Sequence, residues 1–411
     1  MRLSSCRFCG TRLQYTFVNL GLSPFANAYL NPEQLARMEP FYPLQVYVCD
    51  QCFLVQLEEF ESPDRIFSDY AYFSSYSESY LAHAKSYTQL MIERFGLGPT
   101  SHIVEIASND GYLLQYFRDK GIPILGIEPA ANVTKVALER GIPTLIKFFG
   151  TQTALDLVKE GRQSDLLIGN NVLAHVPDLN DFVAGLKILL KRRGVITMEF
   201  PHLMRLISEK QFDTIYHEHF SYFSFLTVEK VFAKHGLTLF DVEELPTHGG
   251  SLRIYASHLE NGHYLPSERV SNLKLREEQA GLDNLEYYLS FADKVLEVKC
   301  RLLEFLIEAR RKGKCVVGYG APAKGNTLLN YCGVKSDLLQ YTVDRSPHKQ
   351  GHYLPGTHIP IYDPDTIKKT KPEYVLILPW NLKDEIMEQM AFIREWGGAF
   401  IVPIPEVVVH P

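Results

Sequence analysis

Two short segments predict the fold of the middle of the chain: Val104-Glu105-Ile106-Ala107-Ser108-Asn109-Asp110-Gly111-Tyr112-Leu113-Leu114, and Ile124-Leu125-Gly126-Ile127-Glu128. An apolar strand ends at Ile106 and runs into a short polar turn. A helix is expected from about Gly111, and a second apolar strand ends on Glu128. This order is typical of the first strand-turn-helix-strand unit of an open α/β sheet.

The residues of the turn indicate what such a unit binds. In this unit the acid that ends the second strand, here Glu128, accepts both hydroxyls of a ribose. Ala107 and Asn109 stand where a dinucleotide fingerprint has glycines, and the carboxylate of Glu105 repels phosphate but suits a cationic amine. S-adenosylmethionine carries a ribose, an ammonium and a sulfonium, so the turn predicts a methyltransferase; the alternative is an α/β domain whose strand-end acids only cap helices. The candidate cofactor contacts are Glu105, Ser108, Asn109, Gly111, Glu128 and Asn170.

Length and composition limit the class of protein. A chain of 411 residues predicts two or three domains, and 46% hydrophobic with 22% charged residues is typical of a globular protein. The net charge of −6 gives no support for a nucleic-acid partner. No signal peptide and no membrane span is visible, so we expect a cytoplasmic protein without a membrane partner.

Four of the seven cysteines form two CxxC pairs, Cys6 with Cys9 and Cys49 with Cys52. In a reducing compartment such pairs indicate metal ligands before disulfides. Four thiolates close a tetrahedral zinc site and leave no open position, so the zinc is expected to be structural. The alternative is four ordinary thiols.

Patterns along the chain predict three domains. Residues 1–65 hold both CxxC pairs and are expected to form a zinc-binding domain. Residues 66–257 are expected to form the methyltransferase domain, with strands at 102–107, 123–128, 165–169 and 195–200 that alternate with helices. Residues 258–411 are expected to contain a linking helix and a second, Rossmann-like α/β domain. The predicted fold class is therefore α/β, with a central class I (Rossmann-like) methyltransferase domain.

Tyr216-His217-Glu218-His219 brings a phenol, two imidazoles and a carboxylate into four residues. A His or Glu can remove a proton beside a carbonyl, and a Tyr hydroxyl can hold the developing enolate oxygen. The alternative is a surface cluster or one that only supports a site. His175 follows a predicted strand end, where open α/β sheets bind ligands, but a single histidine is weak support.

Two glycine-containing tracts nearer the C-terminus are ambiguous. Gly318-Tyr319-Gly320-Ala321-Pro322-Ala323 reads GxGxxA, a looser dinucleotide fingerprint, and Asp344 follows where a ribose-binding acid would stand. We favour a Rossmann-like turn that no longer binds a dinucleotide. The tract Thr247-His248-Gly249-Gly250-Ser251-Leu252-Arg253 fits either a diphosphate site made of backbone N–H groups and Arg253 or a plain β-turn.

Together these blocks resemble the sugar C-methyltransferases that act on nucleotide-linked 4-keto-deoxysugars. The resemblance covers essentially the whole chain and lies in the cysteine module, Tyr70 to Ser75, Glu105 to Gly111, Tyr216 to Phe220, Thr247 to Arg253 and Gly318 to Thr327. It implies a zinc-binding N-terminal domain, a middle domain that binds S-adenosylmethionine and a Rossmann-like C-terminal domain. The implied partner is a nucleotide sugar, with a dTDP link favoured, and a monomer or weak homo-oligomer is expected.

The active-site set that this resemblance implies is Tyr70, His175, Tyr216, Glu218 and His219. The implied reaction is deprotonation of the carbon beside the C4 ketone and methylation of that carbon, with C3 favoured and C5 possible. His219 is assigned as base, although Glu218 could be the base or orient it. The alternative function, which rests on the C-terminal glycine-rich turn, is an NAD(P)-dependent oxidoreductase or epimerase that acts on a nucleotide sugar.

Overall fold

The computed structural model describes residues 5–62, 74–76 and 78–411. It divides into two compact units, and each unit collects three separate stretches of the chain. Unit 1 comprises Met1–Leu13, Cys49–His202 and Phe220–Asp283; unit 2 comprises Gln14–Val48, Leu203–His219 and Asn284–Pro411. The predicted division into residues 1–65, 66–257 and 258–411 follows chain order instead, and it stays a prediction.

Strands account for the sheets of both units. Within the described residues they are β1 (Tyr15–Ser23), β2 (Tyr42–Val48), β3 (Val55–Leu57), β4 (Ile103–Ile106), β5 (Ile124–Ile127), β6 (Thr144–Leu145), β7 (Ser164–Asn170), β8 (Leu190–Pro201), β9 (Ser221–Tyr222), β10 (Leu237–Leu245), β11 (Ser251–His258), β12 (Val316–Tyr319), β13 (Thr342–Val343), β14 (Ile361–Tyr362), β15 (Tyr374–Ile377), β16 (Ala399–Val402) and β17 (Val408–His410).

Helices connect most of these strands. Within the described residues they are α1 (Glu78–Phe95), α2 (Leu114–Arg118), α3 (Ala131–Glu139), α4 (Thr151–Lys159), α5 (Leu179–Leu189), α6 (Leu203–Ser208), α7 (Phe225–Lys234), α8 (Glu268–Ala280), α9 (Leu285–Leu289), α10 (Phe291–Arg311), α11 (Ala323–Cys332), α12 (Asp365–Thr370) and α13 (Lys383–Gln389). None of the described helices is long and apolar enough to cross a membrane.

Unit 1 is built on a seven-stranded sheet in the order β10-β11-β8-β7-β4-β5-β6. The strands from β8 to β6 run parallel, and β11 and β10 continue the sheet antiparallel. Strands β4 and β5 are buried on both faces, so their sequences are apolar on both faces except for Glu105 near the end of β4. The predicted Rossmann-like α/β fold is confirmed in this sheet.

Unit 2 contains a six-stranded sheet in the order β14-β13-β12-β15-β16-β17, parallel except for β17. The strand order reverses between β12 and β15, which is the place where open α/β sheets usually bind ligands. The antiparallel hairpin of β1 and β2 also belongs to this unit, where Phe17 stacks on Phe291 with ring centroids 4.6 Å apart. The sequence did not predict that residues 14–48 pack with the C-terminal half.

Candidate active site

The turn after β4 keeps the backbone shape of a glycine-rich loop with few glycines. Ala107, Asn109 and Gly111 all have positive φ, at 56°, 50° and 78°. The Ala107 N–H donates to the Ile127 carbonyl at 2.8 Å, which fixes the turn against β5. Non-glycine residues in this conformation are strained and concentrate at functional sites. At Gly111 a Cβ would lie 2.7 Å from Ile142 Cγ1, so a side chain does not fit there.

Two buried carboxylates stand at the ends of β4 and β5. Glu128 accepts hydrogen bonds from the backbone N–H groups of Asn109 (3.0 Å) and Ala130 (2.9 Å). Glu105 is only 1% exposed, and its Oε2 has no hydrogen-bond partner among the described residues. Burial, followed by the charges of Glu128 and Asp110, raises the pKa of Glu105 well above its usual range. An ammonium group beside Glu105 would supply the missing partner and favour the carboxylate.

The other predicted cofactor contacts lie in the same unit. Ser108 and Asn170 follow β4 and end β7, two neighbouring strands, and both residues are buried. Ser108 Oγ and Asn170 Oδ1 also lack partners within the part of the chain that the structure describes. Buried polar atoms in native proteins are normally hydrogen-bonded. These atoms therefore fit a polar ligand at this edge of the sheet, and a ribose with an ammonium group matches them.

The second cluster, in unit 2, is a turn from Tyr216 to His219. The His219 N–H donates to the Tyr216 carbonyl at 2.9 Å, and the two rings lie 4.0 Å apart between centroids. His219 Nδ1 lies 2.8 Å from the Thr214 carbonyl oxygen. A carbonyl can only accept, so Nδ1 carries the proton and Nε2 carries the lone pair. The tautomer is the one that a base acting through Nε2 requires.

Glu218 has a different hydrogen-bond partner from that of His219. The Asn27 side-chain amide donates to Glu218 Oε1 at 2.8 Å, and the residue is 4% exposed. Burial raises the pKa of Glu218 to about 7, and the Asn27 hydrogen bond opposes the shift. A carboxyl group with this pKa exchanges protons near neutral pH. The observed hydrogen bond that orients His219 is donated by its own Nδ1–H to the backbone carbonyl of Thr214.

The neighbouring imidazole of His217 lies in packed surroundings that give it a structural role. Its Nε2 donates to the Pro43 carbonyl at 3.2 Å, and the rings of Phe25 and Tyr42 each make a T-shaped contact with the imidazole. Burial lowers the pKa of His217 to about 4, so the ring is neutral at pH 7. The structure therefore distinguishes two histidines that the sequence presents as alike.

The remaining two residues of the predicted active-site set are placed differently. His175 is partly buried in a short 3-10 turn after β7, and its N–H donates to the Val172 carbonyl at 2.9 Å. It belongs to unit 1, whereas Tyr216, Glu218 and His219 belong to unit 2. Tyr70 lies outside the described residues.

The glycine-rich turn after β12 is packed closely against neighbouring protein groups. Both carboxylate oxygens of Asp344 accept backbone N–H groups, from Ala321 at 2.7 Å and from Ser346 at 2.8 Å. A Cβ on Gly320 would lie 2.5 Å from Pro379 Cδ, so protein atoms already fill the close approach that this glycine allows. This supports the interpretation of the turn as one that no longer binds a dinucleotide.

Protein side chains occupy the point between β12 and β15 where the strand order reverses. Trp380 Nε1 donates to Asp213 Oδ2 at 2.7 Å, and Lys324 Nζ donates to Asn381 Oδ1 at 2.7 Å. Thr327 Oγ1 also donates to the Ile215 carbonyl at 2.9 Å. The segment that leads into Tyr216 is thus anchored at the carboxyl end of this sheet. No motif in the sequence points to Asp213, Trp380 or Asn27 as supports of the cluster.

The hypothesis that Arg253 holds a diphosphate is wrong. Arg253 is 4% exposed, and its guanidinium donates to Glu199 at 2.7 Å and Glu243 at 2.8 Å. The guanidinium forms ion pairs with carboxylates on the neighbouring strands of unit 1 and is not directed to a ligand.

The four cysteines of the CxxC pairs come together in unit 1. Their sulfur atoms all lie within 4.8 Å of one another, with 3.5 Å between Cys6 and Cys52 and 3.5 Å between Cys9 and Cys49. Tetrahedral zinc with Zn–S bonds of about 2.3 Å requires sulfur separations of about 3.8 Å. The thiolates therefore fit a closed zinc site, as predicted.

Comparison with known proteins agrees with each part of this architecture. Family models match a zinc binding domain over residues 6–67, a methyltransferase domain over residues 80–242 and a C-methyltransferase C-terminal domain over residues 246–405. The C-methyltransferase NovU of Streptomyces niveus is 35% identical over 404 residues, which cover 98% of this chain and 96% of NovU. The chain belongs to the C-methyltransferase family.

Membership in the C-methyltransferase family confirms S-adenosylmethionine as the methyl donor and zinc as the structural metal. Among solved structures, magnesium protoporphyrin IX methyltransferase from Synechocystis with bound S-adenosylhomocysteine is 14% identical. The matched region covers 43% of this chain and 83% of the Synechocystis chain, with a TM-score of 0.34. An S-adenosylmethionine-dependent methyltransferase from Clostridium acetobutylicum is 10% identical over 44% of this chain and 91% of its own, with a TM-score of 0.34.

Proposed function

We propose that this C-methyltransferase acts in the cytoplasm on a nucleotide-linked, dTDP-type 4-keto-deoxysugar and methylates the carbon beside the C4 ketone. C3 is favoured and C5 is the second possibility. The observation that carries the proposal is the His219 imidazole, whose Nδ1 proton is committed to the Thr214 carbonyl beside the Tyr216 ring. A methyltransferase that builds a carbon–carbon bond needs an electron pair on carbon, and a neighbouring ketone makes that C–H acidic enough for an imidazole to remove.

In the proposed step, His219 Nε2 takes the proton from the carbon beside the ketone. The C–H electron pair forms the enolate double bond, and the negative charge on the C4 oxygen is stabilised by Tyr216 or His175. When bound, S-adenosylmethionine would supply an electrophilic methyl group. The electron pair of the enolate double bond would form the new carbon–carbon bond to that methyl group, and sulfur would keep the C–S pair to give S-adenosylhomocysteine. The ketone forms again, and His219 releases its proton to solvent.

The residues proposed to hold the methyl donor are those of the β4 turn and its neighbours. Glu105 would pair with the ammonium group, because its buried Oε2 lacks a partner among the described residues. Glu128 would accept the ribose hydroxyls, and Ser108, Asn109, Gly111 and Asn170 would line the same strand ends. The orphaned acceptors at this edge support the assignment.

Glu218 is the competing base. Its pKa of about 7 suits proton transfer, and its observed hydrogen bond is with Asn27. We assign His219 as base because its tautomer presents the lone pair at Nε2, and we assign Glu218 a supporting proton-transfer role in the same turn. Tyr70 stays in the proposed active-site set because the family resemblance implies it.

The packing at Gly320 argues against the oxidoreductase alternative. A dinucleotide fingerprint needs its glycine to leave room for the close approach of the pyrophosphate, whereas Pro379 Cδ lies 2.5 Å from where a Cβ on Gly320 would be. An epimerase would share the deprotonation step, so it has to be separated by experiment. Transfer of the methyl group to carbon separates the two.

The test of the proposed function is deuterium incorporation from D2O into a dTDP-4-keto-6-deoxysugar with S-adenosylhomocysteine bound, so that methyl transfer is blocked. The wild type should introduce deuterium beside the ketone, and His219→Gln should slow this by about 100- to 10,000-fold. His217→Gln is the matched control; it should lower stability but leave exchange by the folded protein near wild type. Exchange at the wild-type rate in His219→Gln would overturn the assignment of the base.

A further inference from the structure

Arg7 lies inside the first zinc-binding turn, between Cys6 and Cys9, and its side chain leaves that turn. The guanidinium donates to the Pro177 carbonyl at 2.8 Å and to the Leu57 carbonyl. It also lies over the Phe220 ring, 5.4 Å from the centroid. All of these contacts are within unit 1. Because guanidinium is planar and offers several donors, it can hold two carbonyl groups at once in fixed directions.

The backbone of Arg7 is held as firmly as its side chain. Its N–H donates to Gln56 Oε1 at 2.9 Å, and Gln56 Nε2 lies 3.2 Å from the Cys6 sulfur, to which it donates. The Asn180 amide donates to the Arg7 carbonyl at 3.0 Å. Cys6 and Cys9 lie on either side of Arg7 in the chain. A metal ion bound by both cysteines would therefore fix the position of Arg7.

Leu57, one of the two residues whose carbonyls Arg7 holds, belongs to a short ladder of hydrogen bonds. The Leu57 N–H donates to the Phe220 carbonyl at 3.0 Å, and the Phe220 N–H donates to the Ala174 carbonyl at 2.7 Å. Along the chain, Phe220 directly follows His219, and Ala174 directly precedes His175. Pro177, the other contact, comes two positions after His175.

From these contacts we infer that Arg7 is a positioning residue for methyl transfer, which connects the zinc-bound turn to the backbone flanking His175 and His219. The inference rests on the proposed function, because it takes these two histidines to act on the substrate. Small misplacements of reacting groups cost about 100-fold in rate. Loss of Arg7 should therefore lower kcat, and it should leave the S-adenosylmethionine site at β4, β5 and β7 intact.

The experiment compares Arg7→Ala with Arg7→Lys, and uses the exposed Arg12→Ala in the same module as the matched control. Each full-length variant is assayed for zinc content, S-adenosylhomocysteine affinity, kcat, and amide hydrogen exchange at Leu57 and Phe220. Arg7→Ala should keep its zinc and its affinity, lose about 10- to 100-fold in kcat, and exchange faster at both amides. Arg7→Lys should fall between Arg7→Ala and the wild type, because it keeps the charge but not the fork. Arg12→Ala should behave as wild type.

Unchanged kcat and unchanged exchange in Arg7→Ala would overturn the inference. Loss of zinc, or of S-adenosylhomocysteine affinity in parallel with kcat, would also overturn it, since Arg7 would then be a general structural residue. Failure of the proposed function looks different: His219→Gln and His175→Ala would then retain methyl transfer. In that case the exchange rates at Leu57 and Phe220 in Arg7→Ala would still report whether the connection exists.

Discussion

The Nδ1–H of His219 donates to the carbonyl oxygen of Thr214 at 2.8 Å, five residues earlier in the same chain. This hydrogen bond fixes both the direction of the ring and the tautomer, so the lone pair is at Nε2. A backbone carbonyl performs here the orienting role that a carboxylate has in many catalytic sites. This hydrogen bond does not involve the adjacent acid, Glu218, so the protonation of Glu218 depends on its own surroundings.

That acid, Glu218, should make the stability of the protein depend on pH. Burial raises the pKa of Glu218 to about 7, so between about pH 4.5 and 7 the folded state binds more protons than the unfolded state. Its contribution to the free energy of unfolding therefore falls as pH rises, by up to about 1.4 kcal/mol per pH unit in that window. Denaturant unfolding at pH 5 and pH 7 should show the effect in the wild type and not in Glu218→Gln. The exposed Glu395→Gln should behave as wild type. An identical pH dependence in Glu218→Gln and wild type would contradict this environment for Glu218.

The cofactor assignment predicts a binding defect at Glu128. Glu128→Ala removes the acceptor proposed for the ribose hydroxyls and the acceptor of the Asn109 and Ala130 N–H groups. Loss of charge-assisted hydrogen bonds should weaken S-adenosylhomocysteine by about 10- to 100-fold in calorimetric titration. Glu139→Ala, whose side chain is 63% exposed, is the control and should bind normally. Wild-type affinity in Glu128→Ala would remove this residue from the site, and measurable binding of NAD or NADP would revive the oxidoreductase alternative.

The four-thiolate centre predicts one zinc ion per chain. Cys49→Ser replaces a ligand sulfur 3.5 Å from Cys9 with a poorer ligand, so elemental analysis should show most of the zinc lost. Cys300→Ser changes an exposed cysteine outside the cluster and should keep the wild-type ratio. A wild type without zinc, or equal zinc in both variants, would be inconsistent with the centre.

The anchor beneath the Tyr216–His219 turn can be tested with the two tryptophans of the chain. Trp380→Phe removes the hydrogen bond to buried Asp213, whereas Trp396→Phe removes a comparable bond of 3.0 Å to the Pro372 carbonyl. Each variant should lose about 1 to 3 kcal/mol in the free energy of unfolding. Only Trp380→Phe should also lower kcat, because Asp213 immediately precedes Thr214, which orients His219. Equal kcat values in the two folded variants would show that this anchor does not matter for the reaction.

Local sequence was enough to predict the elements that bury two apolar faces. The predicted strands at 102–107 and 123–128 appear as Ile103–Ile106 and Ile124–Ile127, and the predicted helix after the turn begins at Leu114 instead of Gly111. The difference at Gly111 has a physical cause. The turn contains three residues with positive φ before the helix starts. The spacing of apolar residues, from which the helix was predicted, does not indicate such backbone angles.

Long-range contacts were beyond the sequence. Nothing near Asn27 shows that its amide reaches Glu218, because the two residues are 191 positions apart in the chain. Likewise His217 and His219 have similar neighbours along the chain, and only the Pro43 carbonyl and the Thr214 carbonyl distinguish their roles. The sequence left the role of Arg253 open for the same reason, since its ion-pair partners Glu199 and Glu243 are on other strands.

The central claim is the formation of a carbon–carbon bond beside the ketone, and it is tested most directly by the position of the transferred methyl group. The purified wild type would be incubated with methyl-13C-labelled S-adenosylmethionine and a dTDP-4-keto-6-deoxysugar, and the product examined by carbon–carbon coupling in NMR. We predict that the labelled methyl carbon is bonded to C3 or C5 of the sugar ring, with S-adenosylhomocysteine released in equal amount. A labelled methyl group on oxygen or nitrogen, or a sugar altered without receiving the label, would contradict the proposal.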